Sequence, residues 1–485
     1  MKIRLGKALI GTAALAVITL GAAWIATVIQ RRGEIDTASG EQKLARTLSI
    51  LRTGTPTHPN VLKVLFYGQS IMKSGWDKEV VKHWHQTYPN TVFVVKNLAI
   101  GGFAAQLLEG ATKRDIASFY PDLIVFHVYG DHRAYEQIVR DFRSQTAADI
   151  LVQTDHAVEA LNPPCSDGLS WSLKPPPGCK GILWSREIVW SDEMSYHKIP
   201  AFAKKYGLAV EPQRTWWREY LLQTQDDPRS LLSDDVHPND KGRALMATFF
   251  DRYFDNLVQH WNGETEHLAT SHPPPASQTQ QISFSGNRIE LISAKPLTSP
   301  PSVTVDGRAS KDIDGCYLPS RASGLANPRD WPALRQIVLV HDHTQEDWTA
   351  TVTEISPDQE SFSFRVLGSV SGDQGTGEVG KGFFARPFVS RSGQLRIEPK
   401  YWTFLQSFQT FRVPTKAPFE VHWSVDYLCG NQPEVIEIQR GITQYRYTLA
   451  TGLPNAAHAL SIDLAAADMA SVIELRSYQP PLTSN

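Results

Sequence analysis

Val61-Leu62-Lys63-Val64-Leu65-Phe66-Tyr67-Gly68-Gln69-Ser70 is a run of β-forming residues that ends at a glycine, with a serine two places on. A nearly continuous apolar run of this length is the pattern of a strand buried on both faces of a parallel sheet. A tight turn at Gly68 would lift Ser70 above the sheet edge, and in open α/β sheets the chemistry sits at the carboxyl ends of the strands. Far downstream, Leu232-Ser233-Asp234-Asp235-Val236-His237-Pro238-Asn239 holds the partners that a serine nucleophile needs.

Around the first stretch, strand and helix patterns alternate. Strands are expected over 61–66, 91–95, 123–128, 149–154 and 208–210. Helices are expected over 77–88, from 103 onward, and over 135–146, 191–206, 216–223 and 241–260. This alternation predicts a parallel sheet covered on both faces, with right-handed crossovers that bring the strand ends to one side.

A Pro- and Ser-rich linker follows at 263–281, with Ser271-His272-Pro273-Pro274-Pro275-Ala276-Ser277 inside it. Beyond it the runs are short, of β composition and separated by turns such as Gly286-Asn287 and Asp306-Gly307. Among them are 282–284, 288–292, 302–305, 348–355, 361–366, 419–427, 459–464 and 471–475, with almost no helical period. Residues 282–485 therefore predict an all-β sandwich or jelly roll. Gly375-Thr376-Gly377-Glu378-Val379-Gly380-Lys381 imitates a phosphate loop, but Gly382 replaces the Ser or Thr that would hold magnesium. It reads as a flexible hairpin loop.

The chain has 485 residues, too many for one core, so two or more domains are expected. A formal net charge of −2 and the lack of a basic patch argue against a nucleic-acid partner. Lys2, Arg4 and Lys7 precede an uncharged run from Ala8 to Gln30, which Arg31-Arg32 close. Residues 1–33 are long enough for an uncleaved membrane helix, and Gly21-Ala22-Ala23 leaves a cleavable signal as the alternative. Either way the body lies outside the cytoplasm, as a membrane-anchored or a secreted protein. Residues 34–60 read as a polar tether with a short helix near 42–52. The four cysteines allow three pairings. Cys165–Cys179 and Cys316–Cys429 keep each bridge inside one domain, against the alternative of four free thiols.

Asp234-x-x-His237 puts a carboxylate and an imidazole on one loop before a helix. The carboxylate can reach the ring's Nδ1 and orient Nε2 to take a proton from Ser70, whose hydroxyl is otherwise a poor nucleophile. The bland alternative is a loop histidine beside a helix-capping aspartate. Acyl transfer also needs donors for an oxyanion. Asn97-Leu98-Ala99-Ile100-Gly101-Gly102 after the second strand and Tyr129-Gly130-Asp131-His132 after the third offer candidates.

With these residues in view, the chain over roughly 60–260 resembles the SGNH (GDSL-type) hydrolases. Their Gly-Asp-Ser block appears as Gly68-Gln69-Ser70, a variant seen in several carbohydrate esterases. Their Asn-x-x-x-x-Gly block matches Asn97 to Gly102, and their Asp-x-x-His block matches Asp234 to His237. The third block departs, because the family's Asn is replaced by Asp131 or His132, depending on the alignment.

The resemblance implies a flavodoxin-like three-layer α/β/α domain over 61–262. It further implies a serine esterase with Ser70, His237 and Asp234 as the triad and no metal or cofactor. The oxyanion hole would rest on the Ser70 and Gly102 N–H groups, with a protonated Asp131 or the His132 N–H in the missing place. Gln69, Asn97, Trp171 and Trp190 are candidate substrate contacts, since aromatic faces stack on sugar rings. The expected substrate is an acetylated polysaccharide. A non-catalytic glycan-binding or scaffold protein, a lipase and an O-acetyltransferase are the alternatives.

Overall fold

The computed structural model describes residues 42–158, 186–263, 268–324, 331–341, 343–381, 385–430, 432–439 and 441–482. The expected membrane segment 1–33, the first part of the tether, Cys165, Cys179, Trp171 and Trp184 lie outside the described residues. Among the described residues no helix is long and apolar enough to cross a membrane.

The N-terminal half is built on five parallel strands: β1 (Asn60–Gly68), β2 (Thr91–Asn97), β3 (Leu123–His127), β4 (Asp149–Gln153) and β5 (Ala209–Glu211). Their order is β2-β1-β3-β4-β5, the doubly wound order of flavodoxin-like sheets. Alternate side chains of β1 divide between two cores, as the pleat requires. Leu65 and Tyr67 pack under α3 (Ala105–Phe119) and α4 (His132–Gln145). Leu62, Val64 and Phe66 pack under α2 (Trp76–Thr87) and α8 (Asp240–His260). Between β4 and α8, α5 (Arg186–Glu193) runs through one π-helical turn into α6 (Ile199–Tyr206), and α7 (Gln213–Thr224) follows β5.

Part of the expected tether is core. Helix α1 (Ala45–Thr53) buries Leu48 and Leu51, with Leu44 just ahead of it, against the α2–α8 face. Its Arg46 is buried in an ion pair with Asp122 and donates to Ala147 O at 2.8 Å. The polar composition hid this face, because its charged residue is paired rather than solvated.

The C-terminal half is all-β, as expected, and divides into two β units. The outer unit is a seven-stranded sheet of β6 (Ala269–His272), β20 (Val472–Tyr478), β7 (Thr279–Ser293), β19 (Ile442–Asp463), β8 (Ser302–Val305) and β9 (Arg308–Ala309), with β18 (Glu434–Gln439) on β19. The expected linker thus contains a strand, β6, which pairs with β20. Gly286-Asn287 does not end a strand. It lies inside β7, opposite a bulge in β19. Asp306-Gly307 does form the two-residue turn between β8 and β9.

The second unit is nested inside the first, between β9 and β18. Strands β10 (Tyr317–Pro319), β17 (Phe419–Tyr427), β12 (Glu346–Ile355), β13 (Phe362–Gly368) and β14 (Gly372–Val379) form its main sheet. Strands β11 (Val338–Leu339), β16 (Leu395–Ile397) and β15 (Phe388–Val389) form a small second one. Most of the supposed flexible glycine loop at 375–381 is strand β14, hydrogen-bonded to β13. A helix that composition did not suggest, α9 (Phe404–Phe411), carries phenylalanines at 404, 408 and 411 with helical spacing. Cys316 and Cys429 are disulfide-bonded, 5.4 Å apart at Cα, and staple the two ends of this nested unit. Its core is continuous with the α3–α4 face of the parallel sheet through Phe103 and Trp331.

Glu211, at the end of β5, is fully buried and has one side-chain donor, Gln153 Nε2 at 3.1 Å. Burial pushes its carboxyl up to about 8, and the Gln153 bond offsets only part of this. A raised carboxyl favours folding fully below the unfolded-state pKa, and this contribution is lost as pH rises through the folded-state value. Glu211→Gln should raise stability by no more than about 1 kcal/mol at pH 5 and by about 4–5 kcal/mol at pH 9, read from urea midpoints.

Candidate active site

The nucleophile turn is dictated by crowding. Gly68 has φ +150°, and a Cβ there would lie 1.8 Å from the carbonyl oxygen of His127 on the neighbouring strand. Only glycine fits, so the chain leaves the sheet at that point. Ser70 emerges half-buried at the carboxyl edge of the sheet, beyond the strand. Gln69 beneath it is buried, and its carbonyl accepts from Lys73 N at 2.9 Å.

The second stretch forms a closed loop before α8. Leu232 and Pro238 make an antiparallel bridge, and Ser233 N donates to His237 O at 2.8 Å. Asn239 caps α8 by accepting from Gly242 N at 3.0 Å. Inside the loop, Asp234 Oδ1 accepts from the Val236 and His237 N–H groups at 2.8 and 2.7 Å. Its Oδ2 faces His237 Nδ1 at 2.7 Å, and His237 Nε2 lies 2.9 Å from Ser70 Oγ. A carboxylate only accepts, so Nδ1 carries the proton there and Nε2 is left to accept from the serine hydroxyl.

Partial burial would raise the Asp234 pKa, but the two backbone N–H bonds and the ring outweigh it and hold the carboxyl below its ordinary value. Asp234 is therefore ionised at neutral pH. The relay is open to water: the His237 and Asp234 side chains are 42% and 57% exposed.

One supporting group was not visible in sequence. His156, just past the end of β4, is buried and lies 2.6 Å through Nε2 from Val236 O, the carbonyl next to His237. A carbonyl only accepts, so this nitrogen must carry a proton. The ring packs on Trp217 at 5.3 Å, and the His156 carbonyl accepts from the buried Arg214 at 2.8 Å. Asp155 beside it accepts from Ser191 Oγ at 2.7 Å and from His156 N at 3.1 Å, and lies 3.2 Å from His127 Nε2. Burial raises the Asp155 pKa, but its bonds to His127 and His156 win and hold it well below the usual carboxylate range.

The other expected site residues divide. Asp131 is spent as the cap of α4, its Oδ1 accepting from Arg133 N and Ala134 N at 2.9 Å each. That oxygen is thereby taken up as an acceptor at the start of the helix. His132 Nε2 is sealed from solvent without a hydrogen-bond partner among the described residues. Burial and then Lys198 lower the pKa of its ring. The backbone donors are placed differently: among the described residues, the Ser70 and Gly102 N–H groups make no hydrogen bond.

Asn97 braces the scaffold. Its amide donates to Met72 O at 2.9 Å and Asp77 Oδ2 at 3.0 Å, and its oxygen accepts from Ala99 N. Trp190 donates to Gly130 O at 2.6 Å and packs tilted against Tyr129, ring centroids 4.3 Å apart, so it holds the altered loop from the side. Trp76, Trp84, Trp216 and Trp217 are packing residues, buried against aromatic neighbours.

No family model and no curated protein sequence matches the chain. Among solved structures, a two-domain esterase active on acetylated mannans, co-crystallised with mannopentaose, is 14% identical. The match covers 90% of this chain and 96% of that one, with a TM-score of 0.34. A catalytic mutant of an acetylxylan esterase from Geobacillus stearothermophilus is 17% identical over 40% of this chain and 93% of its own, with a TM-score of 0.31. An α/β hydrolase from the metagenome of Lake Arreo, Spain, is 14% identical over 40% and 96%, with a TM-score of 0.30. The fold and the site stand on the geometry above and not on these likenesses.

The His156 bond can be tested without any substrate. His156→Leu strands a carbonyl beside the His237 loop and should cost about 1–3 kcal/mol in urea unfolding, with faster amide exchange at Val236 and His237. His156→Gln, which keeps a donor at similar reach, should recover most of both.

Proposed function

We propose that this protein is a serine esterase of the SGNH type that removes acetyl groups from a polysaccharide outside the cytoplasm. One observation carries the reading: the unbroken relay from Ser70 Oγ to His237 Nε2, and from His237 Nδ1 to Asp234, at the carboxyl edge of a β2-β1-β3-β4-β5 sheet.

In this reading Ser70 Oγ attacks the ester carbonyl as His237 Nε2 takes its proton, and Asp234 stabilises the imidazolium that forms. The tetrahedral oxyanion is held by the backbone N–H groups of Ser70 and Gly102. His237 then protonates the departing sugar hydroxyl, leaving an acetyl-Ser70 ester. Water, activated by the same imidazole, attacks that ester and returns the serine. The open relay supports hydrolysis over transfer, since water reaches His237 directly. Gly68-Gln69-Ser70, in the form found in carbohydrate esterases, supports an acetylated glycan as substrate. The Cys316–Cys429 bridge fits an oxidising compartment, in accord with residues 1–33 serving as an export signal or membrane anchor.

The test is turnover of p-nitrophenyl acetate by residues 34–485, followed by acetate release from a panel of acetylated glycans. Ser70→Ala should fall to the buffer rate. Asp234→Asn should lose about a thousandfold or more in kcat, because the wrong ring tautomer is then favoured. Wild-type rates no better than buffer on every substrate would sink the esterase reading.

A further inference from the structure

The nested β unit reaches the candidate oxyanion donor through a single peptide group. A trans peptide is planar, so the C=O of Gly101 and the N–H of Gly102 belong to one rigid plate and point in opposite directions. Trp331, from the nested unit, donates its indole N–H to Gly101 O at 2.8 Å. The indole is 1% exposed and wedged edge-to-face between Phe103 and Phe411, at 5.2 and 5.1 Å. The carbonyl is thus turned inward, to the buried indole. The N–H of the same plate is turned the other way, and Gly102 is an exposed residue.

Two consecutive glycines would otherwise let this plate rotate cheaply. Gly102 sits at φ +74°, and a Cβ there would lie 3.3 Å from Phe411 and 3.6 Å from Trp331. The rest of the loop is held at its flanks. Leu98 N and Ile100 N donate to Phe66 O and Gly68 O at 3.0 Å each, and Arg321 of the nested unit donates to Leu98 O at 3.1 Å. No other hydrogen bond among the described residues reaches the Gly101 carbonyl. Turning the plate over would break the Trp331 bond and leave a buried indole N–H without an acceptor.

We propose that Trp331 is a positioning residue for the reaction: it holds the Gly101–Gly102 peptide so that the Gly102 N–H faces the developing oxyanion. This rests on the reading of Ser70 as the nucleophile. It gives the nested β unit a part in the chemistry and not only in glycan capture. It also compensates for the altered loop at Asp131, where the side-chain donor is absent.

The test compares Trp331→Phe and Trp331→His with wild type on p-nitrophenyl acetate, with Ser70→Ala alongside. Trp331→Phe keeps an aromatic ring in the wedge and lacks the N–H. It should lower kcat about 10- to 100-fold, below the full loss of an oxyanion donor, and change KM less than about twofold. Trp331→His, which returns a ring N–H, should recover part of kcat. An unchanged kcat in Trp331→Phe overturns the proposal. So does a fall in kcat that comes with an equal loss of thermal midpoint in both variants and no recovery by His, which marks a packing role alone. Wild-type activity indifferent to Ser70→Ala would overturn the nucleophile reading and this proposal together. Ser70-dependent activity that ignores Trp331→Phe would overturn this proposal alone.

Discussion

A carbonyl oxygen, that of His127, occupies the space where residue 68 would carry a side chain. The candidate site follows from that contact. Because β1 and β3 are neighbours in a parallel sheet, with Gly68 opposite His127, the strand must end in a residue without a Cβ. The turn that follows lifts Ser70 to the edge where the loops after β2, β4 and α7 also arrive. A larger residue at 68 would part β1 from β3 and carry the serine away from His237.

The His237 loop is held by hydrogen bonds more than by packing. Its imidazole and carboxylate are largely exposed, so their mutual attraction is screened by water, and geometry has to come from elsewhere. Backbone N–H groups fix Asp234, the bridge at Leu232 and Pro238 closes the loop, and buried His156 holds the Val236 carbonyl from below. The exposed relay therefore stands on a polar base of buried His156, Ser191 and Arg214 with half-buried Asp155. Buried polar groups are costly unless all are paired, and paired they specify one arrangement.

The halves of the chain are joined in the same manner. Lys63, in the middle of β1, pairs with Glu434 of β18, and burial, its largest influence, lowers its pKa. Tyr120 donates to Asn287 at 2.8 Å, and Asn287 donates to Gln145 O at 2.9 Å. Arg288 and Glu290 of β7 form a buried pair within reach of Tyr120 and Tyr478. Such contacts add little net stability against an apolar alternative, but they tolerate few alternative dockings. The β units are thereby set at a defined position over the α3–α4 face, with Trp331 at the Gly101–Gly102 loop.

By itself the sequence determined what depends on neighbours along the chain. The strand–helix alternation, the turn at Gly68 and the spacing of Asp234 and His237 are local, and period and composition encode them. Only the tertiary structure decided what depends on distant partners. The helix near 42–52 was legible, but its burial was not, because the sheet that buries Leu48 and Leu51 is built by other segments. Strand β6 looked like a linker because its partner, β20, lies some 200 residues on. In sequence Asp131 reads only as a candidate donor, and its role as the cap of α4 comes from the structure. Trp331 meets Gly101 across 230 residues, a hydrogen bond that leaves no trace in spacing because only the docking of the nested β unit brings the two groups together.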